Sequence, residues 1–208
     1  EFPKAHPKRE FVDILSSEIS RLQTAVEEAF QFTQTRRSQE EGQDIELASA
    51  TMERVIRLLK NSPQGKRVDF QIETSPENQT CLVDGDKLFQ VFLNVLLNAV
   101  DAVPKKQGRV EITIAQEQGD CTIVISDNGP GIGPSEREKI FTPFYTGKQD
   151  GTGLGLAISQ KIVQSYGGSM TVESSRTGGA SFRIHLPKNE AGPDPIQGDY
   201  RQSFDLSR

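Results

Sequence analysis

The sequence predicts an α+β fold: a two-layer α/β sandwich in which a mixed sheet carries helices on one face. Three observations predict it. Apolar residues recur at spacings of three and four in separate stretches, which marks helices with one buried side. Shorter runs between them alternate apolar and polar residues, as half-buried strands do. The order runs helix, strand, strand, helix, strands, a glycine-rich segment, helix, strands, which suits one sheet covered by helices.

Taken in order, residues 1–9 read as a disordered lead. Over residues 10–37 the pattern is helical, with Val12, Leu15, Ile19, Leu22, Val26 and Ala29 forming an a/d seam. At about two and a half heptads, that seam suits one helix of a bundle, a dimer stem, or a helix packed on its own domain. The polar stretch Ser38 to Asp44 is a linker, and a compact unit spans residues 44–187. Leu47, Met52, Val55, Ile56 and Leu59 give an amphipathic helix that ends near Asn61-Ser62-Pro63. Val68 to Glu73 alternates as a strand, and Cys81 to Val83 is a second, shorter one. Asp86 to Val103 is the strongest helical stretch, with a stripe of Leu88, Val91, Phe92, Val95, Leu96 and Ala99, stopped by Pro104. Arg109 to Gln116 and Thr122 to Asp127 are strands joined around Gln118-Gly119-Asp120. A helix from Leu154 to Tyr166 ends at Gly167-Gly168, and strands follow at Met170 to Ser174 and Ser181 to Leu186. Residues 188–208 read as a flexible tail.

Composition excludes several classes. The 208 residues suffice for one or two domains. No apolar run approaches the roughly 18 residues of a membrane span, and no signal-peptide core is visible at the start. A net charge of −5 argues against nucleic acid as a partner. The opening Glu1-Phe2-Pro3 lacks methionine, as expected of a fragment or a processed chain. Cys81 and Cys121, both in strand-like runs, are expected to be buried free thiols, and the two histidines and two cysteines show no metal-site spacing.

The chemistry concentrates in Ser126 to Leu156. One glycine cluster, Gly129-Pro130-Gly131-Ile132-Gly133, follows Asp127, and a second, Gly151-Thr152-Gly153-Leu154-Gly155, precedes the last helix. Glycine lets backbone approach a ligand closely, and a glycine-rich turn entering a helix presents free N–H groups and a positive dipole end to phosphate. This reads as a phosphate-binding lid with two hinges, against the plainer reading of two loop clusters. Asp127 ends a strand, where its carboxylate can accept a hydrogen bond from an exocyclic amine. No G-x-x-x-x-G-K-[ST] is present, neither cluster extends to G-x-G-x-x-G, and the protein-kinase motifs are absent. Asn94 and Asn98 lie four apart on one face of the strongest helix, where asparagine is not favoured. They suggest a ligand wall, and an amide oxygen suits Mg²⁺.

Four stretches in order, Asn94-Val95-Leu96-Leu97-Asn98-Ala99, Asp127-Asn128-Gly129-Pro130-Gly131-Ile132, Phe141-Thr142-Pro143-Phe144 and Gly151-Thr152-Gly153-Leu154-Gly155-Leu156, resemble the N box, first glycine box, F box and second glycine box of sensor histidine kinases. The lid is most similar to the nitrogen-regulation-like group. The resemblance covers about residues 44–187 as the ATP-binding catalytic domain, a Bergerat-type fold of the gyrase, chaperone, histidine-kinase and mismatch-repair superfamily. Residues 10–37 resemble the second helix of the dimerisation and phosphotransfer stem.

The resemblance implies roles. Asn98 coordinates Mg²⁺ and Asn94 supports the phosphate end. Asp127 takes the adenine amino group, and Gly129 and Gly131 shape the adenine edge. Gly151, Gly153 and Gly155 let the lid close and offer N–H groups to phosphates, with Lys148 as a cation for the γ-phosphate. Ile132, Phe144, Thr152, Leu154, Leu156 and Ser181 complete the cofactor-facing set, while Phe141 and Phe144 also anchor the lid or dock it on the stem. It further implies a homodimer through the stem, a response-regulator partner, and a cytoplasmic position within a larger sensor. Related ATPases carry a water-activating glutamate where Asn94 stands; an amide is no general base, so transfer is favoured over hydrolysis.

The pattern breaks in two places. The phosphoacceptor histidine is absent: His6 precedes Pro7-Lys8-Arg9, His185 lies in a strand as a structural residue, and the acceptor is expected upstream. Asp101 stands where some relatives place a basic phosphate contact. A dimer-clamp ATPase that hydrolyses ATP, and a non-catalytic dimerisation module, remain as alternatives.

Overall fold

Residues 45–74, 82–148 and 151–187 are described by the structure, a computed structural model. The lead, the stem, the linker and the tail expected from the sequence lie outside these residues. β1 (Ile45–Leu47) leads into α1 (Ala48–Leu59), followed by β2 (Val68–Thr74), β3 (Leu82–Asp84) and α2 (Gly85–Ala102). β4 (Gly108–Glu117) and β5 (Asp120–Asp127) form a hairpin, and α3 (Gly155–Ser165), β6 (Ser169–Ser174) and β7 (Ala180–Leu186) follow the glycine-rich segment.

The five-stranded sheet has the order β2-β4-β5-β7-β6. β2 pairs parallel with β4 and the other pairs are antiparallel, so the sheet is mixed as expected. Alternation sends Val110, Ile112, Ile114, Ile123, Ile125, Phe182 and Ile184 to one face, where the helices cover them. α2 is the central helix, packed between α1 and α3. Its stripe of Leu88, Phe92, Val95 and Leu96 is fully buried, and each such side chain contributes about 1.5–3 kcal/mol of transfer free energy.

Helix boundaries follow local chemistry. α2 starts one residue before the expected Asp86, because Asp84 serves as N-cap and its Oδ1 accepts the Lys87 N–H at 3.0 Å. Pro104 follows its C-cap, Val103. After α1, Ser62 Oγ donates to Leu59 O at 2.8 Å and accepts the Gly65 N–H at 3.0 Å, which closes the turn before β2. Tyr166, just past α3, donates its hydroxyl to Asp84 Oδ2 at 2.8 Å, so one carboxylate caps α2 and ties it to α3.

Two expectations need correction. The short strand at 82–84 does not join the main sheet; it pairs antiparallel with β1, which the sequence pattern does not reveal. The three-residue β1 carries too little alternation to be recognised, and without it the partner of the short strand is not visible. Cys121 is buried at the start of β5 and disulfide-bonded, not a free thiol. Spacing along the chain says nothing of which strands end near one another, so it could not indicate this.

Candidate functional site

A cavity of about 620 Å³ opens between α2, the ends of β5 and β7, the glycine-rich segment and the start of α3. Three features of the chain build it.

The first is the exposed edge of α2. Asn94, Leu97, Asn98 and Asp101 follow one another at helical spacing along the border of the buried stripe, and all four line the cavity. Asn94 Nδ2 donates to Gly155 O at 3.0 Å and to Ser159 Oγ at 3.1 Å. Its amide is thereby locked to the first turn of α3. Asn98 Oδ1 accepts from Lys148 Nζ at 2.9 Å, and the same ammonium reaches Asp101 Oδ2 at 2.7 Å.

The second is the carboxylate at the end of β5. Period-two alternation puts Asp127 on the same face as Ile123 and Ile125, so the strand delivers a 3 % exposed carboxylate to the cavity wall. Oδ1 accepts the Gly129 N–H at 2.8 Å and the Ala180 N–H at 3.2 Å. Both protein donors use Oδ1, which leaves Oδ2 for a ligand amine. Burial pushes the Asp127 carboxyl above the ordinary carboxylate value, and the two N–H groups pull it partly back. The turn between β6 and β7 braces the backbone beneath: Ser175 Oγ donates to Asp127 O at 2.7 Å and Thr177 Oγ1 to the same oxygen at 3.1 Å. Gly179 leaves no room for a side chain, since a Cβ would stand 2.2 Å from Asp127 O and 2.3 Å from Oδ1.

The third is the return of the chain into α3. Gly151, Thr152, Gly153, Gly155 and Leu156 line the cavity with Tyr145, Thr146, Gly147 and Lys148. Gly153 sits at φ +70°, and a Cβ there would meet the Phe144 carbonyl carbon at 2.5 Å. α3 has no side-chain N-cap, so its first N–H groups are left at the cavity edge. Such a helix start suits an anion.

The structure therefore brings together, around one cavity, Asn94, Asn98, Asp127, Gly131, Ile132, Lys148, Gly151, Thr152, Gly153, Gly155 and Leu156. Four of the expected residues stand apart from its lining. Gly129 lies behind Asp127 and acts through its N–H. Leu154 packs toward the core. Phe144 is 73 % exposed at φ +66°, a left-handed conformation held by its N–H bond to Gly153 O at 3.0 Å. Ser181 falls on the opposite face of β7, bonded to Ser126 Oγ at 2.8 Å, while its neighbours Ala180 and Phe182 face the cavity. The register of β7 decides this, and a one-residue step is enough to reverse a side chain.

Residues that sequence reasoning passed over are Ser159, Ser175 and Thr177. Ser159 carries a weak signal, a serine inside the apolar stripe of α3 and one turn after Gly155. Ser175 and Thr177 act through the β6–β7 turn, whose proximity to Asp127 is set by β5–β7 pairing. Among the described residues no group of three or more His, Cys, Asp or Glu side chains could hold a metal. The oxygens of Asn98 and Asp101 already hold the ammonium of Lys148, so this pair is fit to bind a cation.

Comparison with known proteins agrees with this geometry. Residues 83–190, more than half of the chain, match the model of the histidine kinase-, DNA gyrase B- and HSP90-like ATPase family. The signal transduction histidine-protein kinase AtoS of Escherichia coli (strain K12) is 36% identical over 189 residues, 90% of this chain and 30% of AtoS. The chain spans about a fifth to two fifths of the length of the curated relatives it matches. The catalytic domain of histidine kinase ThkA superposes with a TM-score of 0.63 at 31% identity, over 71% of this chain and 96% of that one. ThkA in complex with the response regulator protein TrrA gives a TM-score of 0.69 at 25% identity, over 90% of this chain and 53% of that one.

Proposed function

Since the chain belongs to the family of histidine kinase-, DNA gyrase B- and HSP90-like ATPases, we propose that it is the ATP-binding catalytic part of a sensor histidine kinase in a two-component system. It takes the γ-phosphoryl group of ATP to a histidine, from which the group passes to an aspartate on a response regulator. The similarity to ThkA, a kinase solved with its response regulator, supports that partner.

The carrying observation is the polarity of one cavity. A buried carboxylate with one free oxygen stands at one side, and asparagine amides, a lysine and an uncapped helix start stand at the other. The first arrangement reads an exocyclic amine, and the second accepts a phosphate chain. Asp127 Oδ2 orients the adenine, the first N–H groups of α3 meet phosphate oxygens, and Lys148 meets the terminal phosphate. Asn98 Oδ1 is the residue that would hold Mg²⁺, with Asp101 beside it. When bound, Mg²⁺ offsets charge on the phosphates during transfer.

Asn94 favours transfer over hydrolysis. Its side-chain N–H groups are committed to Gly155 and Ser159, and an amide takes no proton from water. In the transfer, the acceptor imidazole nitrogen forms a bond to phosphorus, the bond to the bridging oxygen breaks, and ADP leaves. No helix among the described residues is long and apolar enough to cross a membrane. The reading places this domain in the cytoplasm, with dimerisation through the stem.

Calorimetry of ATP with and without Mg²⁺ tests the reading, followed by phosphorylation of a separately supplied stem bearing the acceptor histidine. The expected result is Mg²⁺-enhanced binding, little turnover alone, and labelling of the stem. Asn98→Ala is expected to lose the Mg²⁺-dependent part of binding. Steady ATP hydrolysis without any histidine would favour the dimer-clamp ATPase instead.

A further inference from the structure

Lys148 is bound to both residues that the reading above assigns to the metal side of the site. Its ammonium lies 2.9 Å from Asn98 Oδ1 and 2.7 Å from Asp101 Oδ2. These contacts span 50 and 47 residues of chain, so the fold makes them. Asn98 and Asp101 are three apart on α2, and that spacing lets both oxygens face one cation.

The ammonium occupies the place that a divalent cation needs. Three hydrogen-bond donors and one positive charge on Lys148 stand in for the charge a metal would bring. The same nitrogen is the one available to a terminal phosphate. Lysine suits such an exchange, because its charge is compact and its four-carbon stem turns easily. It cannot fully serve the carboxylate and a new phosphate while leaving Asn98 free for a metal.

We propose that Asp101 is a positioning residue that holds Lys148 on Asn98 while the cavity is empty of nucleotide. ATP binding transfers the ammonium from Asp101 to the phosphates and frees Asn98 Oδ1 for the metal. Lysine and metal are therefore alternative occupants of one cation site. The departure at position 101, an acid near the phosphate end, acquires a function: it balances Lys148 until the ligand supplies its own negative charge. This rests on the cavity being a nucleotide site.

The pair is half exposed on both sides, so its effect is modest: exposed pairs translate to about two- to fivefold in affinity. Asp101→Asn is expected to tighten ATP binding by about that factor in EDTA, where no metal competes. The same substitution in a Lys148→Met background is expected to change ATP binding by less than about 1.5-fold. The readout is calorimetry on the four proteins of the cycle. An independent readout is the acylation rate of the Lys148 amine in nucleotide-free protein, mapped by mass spectrometry beside that of Lys139. It is expected to rise at Lys148 alone in Asp101→Asn.

An equal gain in both backgrounds would mean that Asp101 merely repels phosphate, and the proposal fails. Weaker ATP binding by Asp101→Asn would place Asp101 among the ligand contacts, and the proposal fails again. If wild-type protein binds no ATP, the nucleotide reading falls, and the exchange falls with it whatever the labelling shows. If it binds ATP but labelling and affinity are unmoved, only the exchange falls.

Discussion

Asn94 Nδ2 donates to the carbonyl oxygen of Gly155 at 3.0 Å across 61 residues of sequence. The bond ties the middle of α2 to the first turn of α3. Ser159, fully buried, completes it by accepting from the same nitrogen and donating to the same carbonyl at 2.9 Å. Ser159→Ala removes one partner from a half-buried amide. A loss of about 1–2 kcal/mol is expected, read as a lower urea midpoint with an unchanged slope. An unchanged midpoint would show that Asn94 is held without it.

Asp127→Asn separates binding from stability. Its folded carboxyl titrates above the ordinary 3.8 because it is buried. The native state therefore binds the proton more readily than the unfolded state, and stability falls as pH rises through that raised value. The cost persists at neutral pH, and an amide does not incur it. Asparagine keeps an oxygen for the Gly129 and Ala180 N–H groups but turns a donor toward the ligand amine. The melting temperature at pH 7 is expected to hold or rise, while ATP affinity falls by about 1–3 kcal/mol, roughly five- to 150-fold. Wild-type affinity for ATP in this variant would remove Asp127 from the base-reading role.

Gly179→Ala forces a Cβ against the backbone and side-chain oxygens of Asp127 at 2.2 and 2.3 Å. Two strands of the main sheet would have to part, at an expected cost of about 2–4 kcal/mol. Gly147→Ala meets nothing within 4 Å and is the matched control, expected within about 0.5 kcal/mol of wild type. Thermal unfolding of the two variants checks this directly. Similar melting temperatures would contradict the close approach at Gly179.

Tyr166→Phe deletes the hydroxyl that binds Asp84 Oδ2. Burial, then the hydrogen bond and charge of Asp84, push the Tyr166 phenol well above its ordinary 10.0. Its contribution is present below pH 10.0 and is lost as pH climbs above that value, because the unfolded chain ionises first. Wild type is expected to exceed Tyr166→Phe by about 1 kcal/mol at pH 8, with the gap closing in alkali. Denaturant titrations at pH 8 and at pH 11 measure the gap; a constant gap would exclude ionisation as its cause.

Much of this was legible in local pattern. The stripe from Leu88 to Ala99 announces a central helix, and alternation along Thr122 to Asp127 points the terminal carboxylate inward. Both signals are periodic and need no partner. What the pattern omits depends on pairing. Ser181 and Ala180 differ by one residue, and only the register of β7 against β5 says which one faces the cavity. The ammonium of Lys148 on Asn98 and Asp101 was likewise invisible, because no local rule joins residues so far apart. β1 was missed for its brevity, and with it the partner of the short strand at 82–84, while the disulfide at Cys121 was missed because chain spacing does not report distance.

The reach of these contacts has a thermodynamic consequence. Asn94 meets Gly155 and Ser159, Asp127 meets Ala180 and the Ser175–Thr177 turn, and Lys148 meets α2. No contiguous peptide from this chain contains the whole lining of the cavity. A ligand held there recognises native topology and has little to bind in the unfolded chain, so its free energy adds to the stability of the domain by mass action. At a hundred dissociation constants of free ligand that addition is about 2.7 kcal/mol, several degrees of melting temperature for a domain of this size. Ligand supply would thus govern how long the folded domain persists, as well as whether it is loaded.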